Sequence, residues 1–99
     1  MSKKPIVWSI AGSDSSRGAG LQADLQTING LGAYACTVVT AVTSQNSIAV
    51  HAVEAVNIQP QLTTLAEDMP ARVIKIGMLA NAAQVETLAE QLRLYKESW

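Results

Sequence analysis

The polar residues of this chain that have company suited to chemistry gather in three short segments, each beside an apolar run. Gly12 to Gly20, G-S-D-S-S-R-G-A-G, joins the apolar stretch Ile6 to Ile10 to an amphipathic pattern. Glycines let a backbone approach a ligand closely, and a helix start offers free N–H groups and partial positive charge to anionic or polar groups. The run Thr43 to Asn46 ends a β-branched stretch with two amides, Gln45 and Asn46. A side-chain amide sets a donor beside an acceptor, which suits an amine adjacent to a ring nitrogen, as when Gln or Asn reads adenine. A turn is the plainer role for this pair, and Asn46 is suited to it. The third segment is Gly77 to Ala80.

The glycine segment fits neither common nucleotide pattern in full. Counted from Gly12, the phosphate loop G-x-x-x-x-G-K-[S/T] places Arg17 at its second glycine and is excluded. Gly18-Ala19-Gly20-Leu21-Gln22-Ala23 matches G-x-G-x-x-A, which keeps a dinucleotide-binding module open as an alternative. Against it, the gap after Ile10 is long for the tight first turn, and no acidic residue follows about 20 positions on to take a ribose hydroxyl. An ordinary glycine turn opening a helix explains the pattern slightly better. Asp14 lies within the loop. Asp24 is placed in the first turn of the following helix, where a carboxylate is by default a macrodipole partner worth about 0.3–1 kcal/mol.

Other reactive residue types lack partners in sequence. His51 has no second ligand at metal spacing and is assigned no chemistry. Lys75, between Ile74 and Ile76, is expected to face a carboxylate or the sheet edge rather than to act in catalysis. Cys36 is the sole cysteine, so no intrachain disulfide forms, and A-C-T-V-V-T marks it as a small buried strand residue rather than a reactive thiol.

The elements that must position these groups alternate in type. Residues 6–10 form a strand. Leu21, Leu25, Ile28 and Leu31 recur at helical spacing before Gly32, a suitable stop. Residues 35–43, β-branched and apolar on both faces, form a strand covered by helices on either side. Residues 48–57 are extended. Pro60 starts a helix over residues 60–69, with Leu62, Leu65 and Met69 on one face, and Pro70 ends it. Val73, Ile74, Ile76 and Met78 form a further buried strand. Asn81 caps a helix from Ala82 to about Tyr95, with Gln84 set for the return contact of a capping box and Val85, Leu88 and Leu92 as its inner stripe. Strand, helix, strand, strand, helix, strand, helix describes an α/β fold with a mostly parallel sheet, and such sheets bind ligands at the carboxyl ends of their strands, where all three polar segments fall.

Composition sets the class. The 99 residues are 48% hydrophobic and 15% charged with a net charge of -1, which fits one globular domain. The seven Lys and Arg are scattered, so nucleic acid is not an expected partner. No apolar run reaches the roughly 18–20 residues a membrane span needs, and Pro5 and Trp8 interrupt anything like a secretory signal, so neither a membrane nor export is expected and the cytoplasm is.

Three ordered motifs carry a resemblance. W-S-I-A-G-S-D-S-S-R-G-A-G-L-Q-A-D-L-Q-T, then L-G-A-Y-A-C-T-V-V-T-A-V-T-S-Q-N-S, then V-I-K-I-G-M-L-A closely resemble the N-terminal part of the hydroxymethylpyrimidine/phosphomethylpyrimidine kinases of thiamine biosynthesis, from about Ile6 to Leu92. The resemblance implies a ribokinase-like, three-layer fold, mostly parallel and truncated to its N-terminal portion. It implies a phosphotransferase that uses ATP and Mg2+ to phosphorylate 4-amino-5-hydroxymethyl-2-methylpyrimidine and then its monophosphate. By motif match, Gln45 would pair with the aminopyrimidine edge, Gly12, Ala19 and Asp24 would line the pocket, and Met78 would form an apolar wall. The run after Asn46 resembles the family's lid and dimer strand, so self-association through residues 48–57 is expected.

Two departures accompany the resemblance. Arg17 stands where the family usually has glycine, and a solvent-facing side chain is the plainer reading. The family also continues into a C-terminal half that carries most of the ATP site and the residue that activates the hydroxyl, and Cys36 does not match the family's catalytic cysteine. Residues 1–99 are thus expected to bind substrate, to bind neither ATP nor Mg2+ well, and to lack activity alone. A pyridoxal-type kinase of the same superfamily is the nearest alternative, and Gln45 argues for the aminopyrimidine.

Overall fold

Runs of β-branched residues alternate with helical spacing along this chain, and the structure follows that alternation. The computed structural model describes residues 4–16 and 19–97. Its elements are β1 (Ile6–Asp14), α1 (Gly20–Gly30), β2 (Tyr34–Gln45), β3 (Val50–Ala55), α2 (Gln59–Asp68), β4 (Val73–Ile76) and α3 (Ala82–Glu97). The order is the one expected. Arg17 and Gly18, and with them the departure at Arg17 and the first glycine of G-x-G-x-x-A, lie outside the described residues, as does the side chain of His51.

All four strands differ in their bounds from expectation. β1 continues past Ile10 because β2 still pairs with it beyond a bulge, Ser13 opposite Val42 and Asp14 opposite Thr43. β2 correspondingly runs from Tyr34 to Gln45, and β3 is confined to Val50–Ala55. β4 stops at Ile76, which leaves Met78 in the loop that follows.

The sheet order is β3-β2-β1-β4, with β1 parallel to both β2 and β4 and β3 antiparallel to β2. Strand side chains alternate between faces. On one face Trp8, Ile10, Cys36 and Val38 pack with Ile58, Leu62 and Leu88 under α2 and α3. On the other, Ser9 meets Asp24 of α1. Helices therefore cover both faces, as a three-layer α/β arrangement requires. Trp8 stacks on Tyr95 with ring centroids 5.2 Å apart, and its indole N–H donates to the Met69 carbonyl at 2.8 Å.

The core is narrower than the apolar pattern implied. Val73, Ile76 and Met78 are exposed, because β4 is an outer strand with β1 as its one neighbour. Val42 and Leu31 are exposed too, so β2 is not covered along its whole length and the α1 stripe ends at Ile28. In α3 the inner stripe holds Gln84 rather than Val85, which faces outward. Asn81 does cap α3, its Oδ1 accepting from the Gln84 N–H at 2.9 Å. The return contact goes one residue earlier than a capping box places it, from the Ala80 N–H to Gln84 Oε1 at 2.8 Å.

Candidate functional site

At the carboxyl ends of β1, β2 and β4 the three polar segments converge on a cavity of about 190 Å3. Gly12, Ala19, Gln45, Lys75, Gly77 and Met78 are among the residues that line it. A larger cavity of about 240 Å3 lies against α2 and α3, but its lining is mostly packing residues such as Trp8, Leu62, Leu92 and Tyr95. The smaller one gathers polar groups at strand ends, where open α/β sheets place ligands.

Two glycines shape its floor. A Cβ on Gly12 would come within 2.6 Å of Met78 Cε, and one on Gly20 within 2.2 Å of the Gly12 carbonyl oxygen. Gly20 also has φ +66, a conformation that side chains disfavour. The loop between them is tied down by its own polar residues. Asp14 is buried, and its Oδ1 accepts from the Ser16 N–H at 2.8 Å and the Ser16 hydroxyl at 2.6 Å. Gln22, in the first turn of α1, accepts from the Asp14 N–H at 2.9 Å and donates to Ser13 Oγ at 2.7 Å. Asp14 and Gln22 therefore hold loop shape, a role sequence spacing did not reveal.

The two amides separate cleanly. Asn46 Oδ1 accepts from the N–H groups of Ile48 at 2.9 Å and Ala49 at 3.0 Å, so Asn46 makes the turn into β3. Gln45 is held by its backbone, which donates to Ser15 Oγ at 2.9 Å and accepts the Ser15 hydroxyl in return. Its side chain lines the cavity and has no hydrogen-bond partner among the described residues. A half-buried amide at a cavity edge, anchored behind and uncommitted in front, presents a donor and an acceptor to a ligand.

Asp24 is placed differently from expectation. It lies beyond the first turn of α1, so it is no macrodipole partner, and it is not among the residues lining the cavity. Its carboxylate accepts from the Ser9 hydroxyl at 2.6 Å and pairs with Lys75 Nζ at 2.9 Å. Burial pushes the Asp24 pKa up, but the Ser9 hydroxyl and the Lys75 ammonium outweigh it, leaving the carboxyl below its ordinary value. The cavity-lining group is Lys75 itself, which residue order had marked as facing a carboxylate or the sheet edge. Cys36 lies in the helix-covered core, where burial pushes its thiol pKa up, the opposite of activation.

Gln45, Gly12, Ala19 and Met78 are thus brought to one cavity, with Asp24 one ion pair behind it. Among the described residues no group of three or more His, Cys, Asp or Glu could hold a metal ion, and no helix is long and apolar enough to cross a membrane.

Comparison with known proteins adds family information. The family model described as phosphomethylpyrimidine kinase matches residues 14–98. A hydroxymethylpyrimidine/phosphomethylpyrimidine kinase of Rhizobium meliloti is 42% identical over 93 residues, covering 91% of this chain and 35% of that protein. A crystal structure of phosphomethylpyrimidine kinase from Clostridium difficile 630 superposes with a TM-score of 0.90 at 44% identity, covering 94% of this chain and 42% of that one. The ADP complex of Bacillus subtilis pyridoxal kinase gives a TM-score of 0.87 at 30% identity, over 95% of this chain and 38% of that one. The chain spans about a third of the length of the Rhizobium meliloti and Escherichia coli kinases and less than a fifth of the bifunctional Oryza sativa relative.

Proposed function

Because the chain belongs to the phosphomethylpyrimidine kinase family, we propose that it is the acceptor-binding part of an enzyme that phosphorylates 4-amino-5-hydroxymethyl-2-methylpyrimidine, and then its monophosphate, with ATP. The observation that carries this is the Gln45 amide, anchored through its backbone by Ser15 and turned to the cavity. Its donor and acceptor match the amino group and ring nitrogen of the aminopyrimidine edge. Gly12 and Ala19 leave room for the ring, and Met78 closes over it. Asp24 acts through Lys75, holding the ammonium at the cavity.

Phosphoryl transfer requires donor and acceptor in line with the transferring charge neutralised. The one carboxylate among the described residues that lines the cavity, Asp14, is engaged with Ser16, so the cavity is fitted to the acceptor rather than to Mg2+-ATP. The nucleotide half of the site is assigned to the part of the relatives that this chain does not span, in a cytoplasmic enzyme that self-associates through the β3 region. A pyridoxal-type kinase shares the scaffold, and Gln45 favours the aminopyrimidine.

The test is calorimetric titration of the chain with the aminopyrimidine, alongside ATP turnover. Saturable binding is expected, weakened at least tenfold in Gln45→Leu because the ring amine loses its partner. Turnover is expected only after a separately produced C-terminal half of a relative is added. Equal affinity in Gln45→Leu, or pyrimidine-dependent turnover by the chain alone, contradicts the proposal.

A further inference from the structure

The apolar wall of the cavity stands on a loop tied on both sides of Met78, by the Gly77 N–H to the Ile10 carbonyl at 2.7 Å and by the Ala80 N–H to Gln84 Oε1. Met78 lies beyond the end of β4, its side chain is unbranched and adaptable, and it remains 43% exposed. Its carbonyl accepts a 2.7 Å hydrogen bond from Thr40 Oγ1. Thr40 is fully buried inside β2, and its own carbonyl accepts from the Val56 N–H at 2.9 Å and from Gln84 Nε2 at 2.7 Å. Gln84, also buried, donates in addition to the Val56 carbonyl at 2.9 Å and accepts from the Ala80 N–H at 2.8 Å. Thr40 is therefore gripped from behind by the exit of β3 and the first turn of α3, and grips Met78 in front.

We infer that Thr40 is a positioning residue for substrate selectivity, fixing the Met78 wall at one spacing from Gly12 so that the slot takes the aminopyrimidine and disfavours the more heavily substituted pyridine of pyridoxal. This rests on the proposed function. The physical reason is preorganisation: a wall already in place costs nothing to order when the ring enters, whereas a released methionine loop must be ordered by the ligand. Valine has nearly the shape of threonine but lacks the hydroxyl, so Thr40→Val removes the tether and leaves the Met78 carbonyl without that donor.

Calorimetric titration of the full chain with the aminopyrimidine and with pyridoxal tests it. Thr40→Val is expected to weaken aminopyrimidine binding about tenfold, the scale of one lost hydrogen bond, and to strengthen pyridoxal binding, because the slot is no longer held at the spacing that disfavours it. Thr40→Ser is expected to restore the preference. In a Met78→Ala background Thr40→Val is expected to change nothing further, because the wall it positions is gone. An unchanged preference in Thr40→Val, or the same loss with and without Met78, overturns the inference. Should Thr40→Val not fold, Thr40→Cys, with a weak donor of similar size, carries the same measurement. An unmodified chain that binds neither ring defeats the proposed function itself, whereas binding with a preference indifferent to position 40 defeats only the role of Thr40.

Discussion

Gly20 combines a backbone requirement with a spatial one, and Gly32 separates them. Both have positive φ, +66 and +82, but a Cβ at Gly20 would collide with the Gly12 carbonyl while one at Gly32 would meet nothing within 4 Å. Gly32→Ala is therefore expected to lower stability by about 1 kcal/mol, the left-handed penalty alone. Gly20→Ala is expected to cost clearly more, since the floor of the cavity must also shift. Urea midpoints of the two variants compare them, and equal shifts would remove the close-approach argument. At this scale sequence marked Asn46 as suited to a turn, as its bonds to the Ile48 and Ala49 N–H groups bear out. Only the fold shows that the turn consumes Asn46 and leaves the Gln45 amide at the cavity. Lys75 escaped notice as a cavity residue for a similar reason. A lysine between two isoleucines says that one face is polar, but not that the face opens on a pocket.

The ion pair between Lys75 of β4 and Asp24 of α1 joins elements that are far apart in sequence. The folded carboxyl has a depressed pKa, so its stabilisation is complete above the unfolded carboxylate value of about 3.9 and is lost as pH falls through the lower folded value. Lys75 is half exposed, and solvent screening holds the contribution to about 1 kcal/mol or less. Asp24→Asn is expected to be less stable than the unmodified chain at pH 7 and to approach it at pH 2–3, as followed by chemical denaturation. A deficit of the same size at both pH values would assign the effect to packing instead. The helices were legible from their spacing, with Pro60, Asn81 and Gly32 marking ends. β1 was read short because Ser13 and Asp14 have low strand propensity by themselves, and their pairing with β2 supplies what propensity lacks. β4 was read as buried because apolar composition does not reveal whether a strand has one neighbour or two.

Across the whole molecule, both outer strands of the sheet carry exposed apolar side chains, Val50 and Val53 on β3 and Val73 and Ile76 on β4. Unpaired strand edges of this kind associate. If β3 is the contact, as proposed, sedimentation of the chain is expected to depend on concentration and Val53→Lys to shift it towards monomer; association that is unchanged in this variant would exclude the β3 edge. The local pattern was enough for the element order, the α/β class and the gathering of the polar segments at the strand ends, because periodicity and chain connectivity are properties of neighbouring residues. The three motifs were enough for the family. Folding alone set Asp24 behind Lys75, put Thr40 and Gln84 beneath the Met78 loop and left Met78 facing Gly12. Those relations join residues tens of positions apart, and the distance between two such groups follows from how strands pair and helices pack over them, which no local spacing encodes.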